Sequence, residues 1–199
     1  MSRYFRIVAV VVVTLFLSFG ATAVVSASTA STSISSVISP VVSLFTTDVT
    51  VNDNIVPTAS GAQTIASDTV TISTNDSAGY TLQLAETSAS STLVSGSNNI
   101  PASSGNKTTP VVMAVNTWGY RVDSLGGFGT GPTTGQSSAA ISGTIKFAAV
   151  PATASPDTLV TAAGTATNAT TTVWYGVAAN TTQPSGTYTN SVTYTVTTS

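Results

Sequence analysis

The chain contains no cysteine and no histidine, and only 6% of its 199 residues are charged. Without Cys there is neither a disulfide nor thiol redox chemistry, and without Cys or His there is no zinc site of the usual kind. The missing His also removes the commonest general acid–base group. Five basic residues, two of them Arg3 and Arg6, are too few to build a nucleic-acid surface. Hydroxyls take the place of charge, with 38 Thr and 29 Ser. A domain of about 160 residues buries roughly 70% of its unfolded surface, so packing alone can hold it together without disulfides.

The N-terminal residues read as an export signal followed by a linker. Arg3 and Arg6 form a basic start, Ile7 to Phe19 is uncharged and mostly apolar, and Val25-Ser26-Ala27 fits a small-x-small cleavage site. Cutting is expected after Ala27, with Ala21-Thr22-Ala23 as a second option. An uncleaved anchor is the rival, because no charge occurs from Ile7 up to Asp48 and a bilayer span needs about 20 apolar residues. The expected product is secreted, extracellular and at the cell surface, touching a membrane only through this segment if it is retained. Removing residues 1–27 leaves three basic and seven acidic side chains, a net charge of −4. The expected organisation is a signal peptide helix over 1–27, a small polar linker over 28–36 and a single β-sandwich over 37–199.

The mature part shows the two-residue period of strands. From Thr187 to Thr197 every odd position is Thr or Ser, while the even positions include Tyr188, Val192, Tyr194 and Val196. The same alternation places Val70 with Ile72, Tyr80 with Leu82 and Leu84, Trp118 with Tyr120 and Val122, Ile145 with Phe147 and Ala149, and Val173 with Tyr175 and Val177. Val49 and Val51 flank Thr50 in the same way. These residue types favour strands. Turn residues separate the runs: Asn75 to Gly79 is expected to close a hairpin, and Gln183-Pro184-Ser185-Gly186 links the last two strands. The prediction is an all-β fold, an antiparallel Ig-like or pilin-like sandwich of seven to nine strands.

Candidate chemistry is sparse. A Ser–Lys nucleophile pair would have to use Lys107 or Lys146, and neither lies in a suggestive pattern. Glu86 and six Asp are the only carboxylates, and Asp53, Asp76, Asp123 and Asp157 read as turn or strand-end residues. Asn52-Asp53-Asn54 is a local oxygen cluster that suits a loop cap better than calcium. The Gly-rich stretch Gly126 to Gly135 lacks the ending of a phosphate loop. Lys146 between Ile145 and Phe147 invites comparison with crosslinking adhesins, but no partner strand is recognisable. Asn75, Asn106, Asn168 and Asn180 begin N-x-S/T sequons. No catalytic, cofactor or metal residue is assigned. Trp118 and Tyr120 share a face expected to be core. Trp174 points away from Val173, Tyr175 and Val177: if those three face the core it is expected to contact solvent or a partner, and otherwise Trp174 is inside and the valines cover a second layer.

The strings Gly79-Tyr80-Thr81-Leu82, Ile100-Pro101-Ala102-Ser103, Asn116-Thr117-Trp118-Gly119-Tyr120, Tyr175-Gly176-Val177 and Pro184 to Val196 resemble those of secreted bacterial cell-surface β-domains. The ending is also similar to the last strand of pilin-like, spore-coat-like and biofilm-fibre subunits. The resemblance implies a structural role and no catalytic residue. The expected function is a non-enzymatic surface structural or adhesive protein that self-assembles. Its strand-exchange segment would include Ile34, Val37, Ile38, Val41, Val42 and Leu44, unless that stretch is simply the first strand of its own sandwich. The alternative is a carbohydrate-binding module using Trp174, Trp118 and Tyr120. The expected partners are accordingly another copy of the chain, or a surface glycan or protein.

Overall fold

The computed structural model describes residues 33–47, 54–132 and 134–199. The leader, Ala27, most of the linker, Val49, Val51, Asn52 and Asp53 lie outside these. The described residues contain no helix, hence none long and apolar enough to cross a membrane. Among the described residues twelve strands run in chain order: β1 (Val42–Thr46), β2 (Ala62–Thr74), β3 (Tyr80–Glu86), β4 (Leu93–Ser95), β5 (Asn98–Ile100), β6 (Val111–Val112), β7 (Thr117–Arg121), β8 (Gln136–Ala140), β9 (Lys146–Phe147), β10 (Asp157–Ala162), β11 (Ala166–Ala179) and β12 (Val192–Thr198). Eight of them have five or more residues.

The larger sheet is built on β2 and β11, which pair antiparallel from Ala62–Ala179 to Thr74–Ala166. On the far edge of β2, β1 pairs near one end and β8 near the other, while β7 pairs with β11. The smaller sheet has the order β10-β3-β12, all antiparallel. Two short ribbons, β4-β5 and β6-β9, complete the set.

Alternation decides what is buried between the two sheets. Val70 and Ile72 of β2, Leu82 and Leu84 of β3, Trp118 and Tyr120 of β7, and Val173, Tyr175 and Val177 of β11 meet in one cluster. On β12 the odd residues Thr193, Thr195 and Thr197 are exposed, and the even residues Val192, Tyr194 and Val196 pack against that cluster. The predicted all-β, sandwich-like architecture is therefore present.

Two expectations change. Asn75–Gly79 does not close a hairpin, because β2 lies in the larger sheet and β3 in the smaller one. The turn is a corner between layers. Asp76 Oδ1 accepts the Ala78 N–H at 2.9 Å, and Gly79 takes φ +105°, where a Cβ would collide with the Ala162 carbonyl. The Gln183–Gly186 link likewise carries the chain from β11 to β12 across the layers.

Trp174 does not reach solvent; it is 7% exposed. It belongs to a second cluster with Ile65, Met113, Phe147 and Ala178, on the other face of the larger sheet. The alternative, with Trp174 inside and the valines covering a second layer, is reversed: Val173, Tyr175 and Val177 face the main core and Trp174 the second layer. Phe147 lies so close to Gly176 that a Cβ there would meet its ring at 2.7 Å. Any larger residue at position 176 would push this layer off the sheet.

Candidate functional site

The aromatic residues that the carbohydrate-binding alternative would use are all enclosed, Trp118 and Tyr120 as their core face requires. Trp118 is 5% exposed and Tyr120 fully buried. Trp118 donates its indole N–H to the Ser91 carbonyl at 2.8 Å, and Tyr120 donates its hydroxyl to Asp157 Oδ2 at 2.5 Å. Burial, reinforced by Asp157, raises the Tyr120 pKa. A sugar-stacking platform needs an open ring face, and none of these three rings provides one.

The Tyr120–Asp157 bond links β7 to β10 on a flank where the outer edge of β7 is itself bridged by Ala102 and Ala148. Lys107 donates to the Thr158 carbonyl of β10 at 3.0 Å and pairs with Asp157 at 3.7 Å. The register of β10 on β3 also shifts between Thr158 and Val160. Beside it, the buried Arg121 donates to Asp123 Oδ1 at 2.8 and 3.1 Å, to the Lys146 carbonyl and to the Gly129 carbonyl. Its guanidinium lies 6.0 Å from the Phe128 ring centroid, and Phe128 is itself core. The Gly-rich stretch is thus tied down at Phe128 and Gly129. Lys146 itself is exposed, so it is not the buried lysine of a crosslinking adhesin.

The opposite flank is formed by β1 and β12. Val42 and Leu44 of β1, with Val192, Tyr194 and Val196 of β12, are half-buried and pack on the inter-sheet core. Neither strand carries a charge. Among the described residues, β12 has no strand partner beyond β3, and β1 has none beyond β2. Before β1, Ile34 and Val37 are 92% exposed, Ile38 83% and Val41 66%. The six residues of the expected exchange segment therefore divide. Val42 and Leu44 belong to an intrachain strand, while Ile34, Val37, Ile38 and Val41 are exposed apolar side chains.

Two carboxyl groups, Asp68 and Glu86, are buried, which the reading from strand alternation did not single out. Asp68 is 2% exposed and accepts the Thr47 backbone N–H at 3.1 Å and its hydroxyl at 3.2 Å. Close to it the Tyr175 and Tyr194 hydroxyls meet at 2.8 Å, and burial raises the pKa of both. Glu86 ends β3 opposite Val192. It is 1% exposed, and among the described residues neither carboxylate oxygen has a hydrogen-bond partner. The nearby Asn190 side chain is committed elsewhere, donating to the Ser90 carbonyl at 2.9 Å and accepting the Ser191 N–H at 2.7 Å. Loss of solvation pushes Glu86 up to about 7, with Asn190 opposing weakly. The signal was legible: Tyr80, Leu82, Leu84 and Glu86 occupy successive positions of one inward face.

Two shallow depressions of about 370 and 290 Å³ are lined by Val41, Ser43, Ser73, Thr74, Asn75 and Ala166, and by Asn54, Thr64, Ile65, Ala66, Gly135, Gln136 and Ser137. Neither is lined by a titratable side chain. No group of three metal-ligating residues occurs among the described residues.

No protein-family model, curated protein or solved structure matches this chain. Its function has to be argued from its own geometry.

Proposed function

We propose that this is an exported, non-enzymatic structural protein of the cell surface that assembles with copies of itself. The observation that carries the reading is the segment Ile34–Val41: four exposed apolar side chains, no charge, and a position just before an edge strand. Exposed apolar surface of this kind seeks a partner, and an open strand edge is a template for one. The basic-then-apolar leader supports export. A net charge of −4 on the mature chain gives only weak repulsion between copies. The resemblance to surface-fibre subunits points the same way. A glycan-binding module is the weaker reading, because Trp118, Tyr120 and Trp174 are enclosed.

Light scattering and electron microscopy of residues 28–199 and 42–199 test the proposal. The longer form should give concentration-dependent assemblies. The shorter one keeps β1, and should give a folded monomer with the same circular dichroism. A longer form that stays monomeric at high concentration would refute the reading.

A further inference from the structure

We infer that the segment Ser33–Ile38 of one copy docks on the β1/β12 flank of the next, adding along the open edge of β12. This rests on the self-assembly reading above and specifies its acceptor.

The smaller sheet has two edges, and they differ in how they are guarded. On β10 a register shift interrupts the ladder, Lys107 occupies the Thr158 carbonyl, and Asp157 supplies charge. Charge and bulges are the devices that keep foreign strands away from an edge. The β12 edge has neither. It runs seven residues, Val-Thr-Tyr-Thr-Val-Thr-Thr, in unbroken register with β3 and without charge or proline. These residues are strong strand formers.

The flank is also short of cover. Val192, Tyr194 and Val196 of β12 and Val42 and Leu44 of β1 remain half-buried where the inter-sheet core reaches the surface. An arriving strand would bury that remainder while pairing its backbone with β12. The occupant is identified by three features. Ser39 and Val41 are held to Thr74 and Asn75 of their own copy, which leaves the six residues Ser33–Ile38 to pair along the seven-residue edge. This segment is uncharged, as the strands β1 and β12 are, so pairing with them desolvates no ion on either strand. Its Ile34, Val37 and Ile38 side chains are the most exposed large apolar groups among the described residues.

The cysteine-free chain makes the test direct. Ile38→Cys is placed in one full-length preparation and either Thr195→Cys (β12) or Thr161→Cys (β10) in another; circular dichroism checks each fold. Mixed pairs are oxidised, and crosslinked peptides are identified by mass spectrometry. The expected result is an Ile38–Thr195 crosslink at least tenfold more abundant than Ile38–Thr161. Thr195→Lys should abolish assembly, whereas Thr161→Lys should leave it intact. Assembly with the crosslink at position 161, or assembly that survives Thr195→Lys, overturns the acceptor assignment and leaves self-assembly standing. Failure of the unsubstituted chain to assemble overturns both.

Discussion

The two flanks of the sandwich are closed by different chemistry. Where β7 meets β10, closure is polar and specific: Tyr120 to Asp157, Lys107 to Asp157 and the Thr158 carbonyl, and Arg121 to three separate acceptors nearby. Where β1 meets β12, half-buried Val, Leu and Tyr side chains of two uncharged strands end the core, and the acidic side chains nearby, Asp68 and Glu86, are buried. The first arrangement discourages a further strand, and the second leaves room for one. Four of the chain's few charged residues thus serve to finish one side.

The comparison can be broken most severely at Arg121. Arg121→Met removes a buried cation and strands the Lys146 and Gly129 carbonyls, so it should cost about 3–5 kcal/mol, read by urea unfolding. Truncating one tyrosine on each flank sharpens the contrast. Tyr120→Ala empties a fully buried site and should cost about 3–5 kcal/mol. Tyr194→Ala, on the half-covered side, should cost about half as much.

Glu86 gives the next largest effect. Its carboxyl titrates near 4.5 when unfolded and near 7 when folded, so the native state holds the proton more tightly. Stability is therefore full below about pH 4.5 and is lost as the pH rises through about 7. Glu86→Gln should flatten this dependence and raise stability at pH 8 by about 1–3 kcal/mol. A profile unchanged by the substitution would show that Glu86 does not govern it. The smallest effect on folding is expected from Thr195→Lys and Thr161→Lys, each within about 0.5 kcal/mol by thermal unfolding. A larger loss at either position would mean that its exposed strand surface bears on the core.

Much of the sandwich was legible in the sequence because burial between two layers imposes a period of two. Val70, Ile72, Tyr80, Leu82, Leu84, Trp118, Tyr120, Val173 and Tyr175 all face inward as that period requires. The links between strands were not legible. Asn75–Gly79 has the composition of a hairpin turn, yet whether strands pair or part depends on what lies beyond each of them. Trp174 was ambiguous for a related reason: alternation says that it opposes Val173 and Tyr175, but not that Phe147 and Met113 return to cover it. Of the candidate site, the segment ahead of β1 could be read from its apolar residues. The unguarded state of β12 could not, since an edge exists only once the order β10-β3-β12 is known.

The corner at Asn75–Gly79 has a mechanical consequence. The Asn75 N–H donates to the Val41 carbonyl at 3.3 Å, and the Ser199 N–H donates to the Gly79 carbonyl at 3.1 Å. Residues 41 and 199 are therefore fastened to opposite ends of one five-residue bend. Tension applied between them would run through that short bend and bypass the packed interior. It would open β1 and β12 one rung at a time, as a zip opens, well before it sheared the long β2–β11 pair.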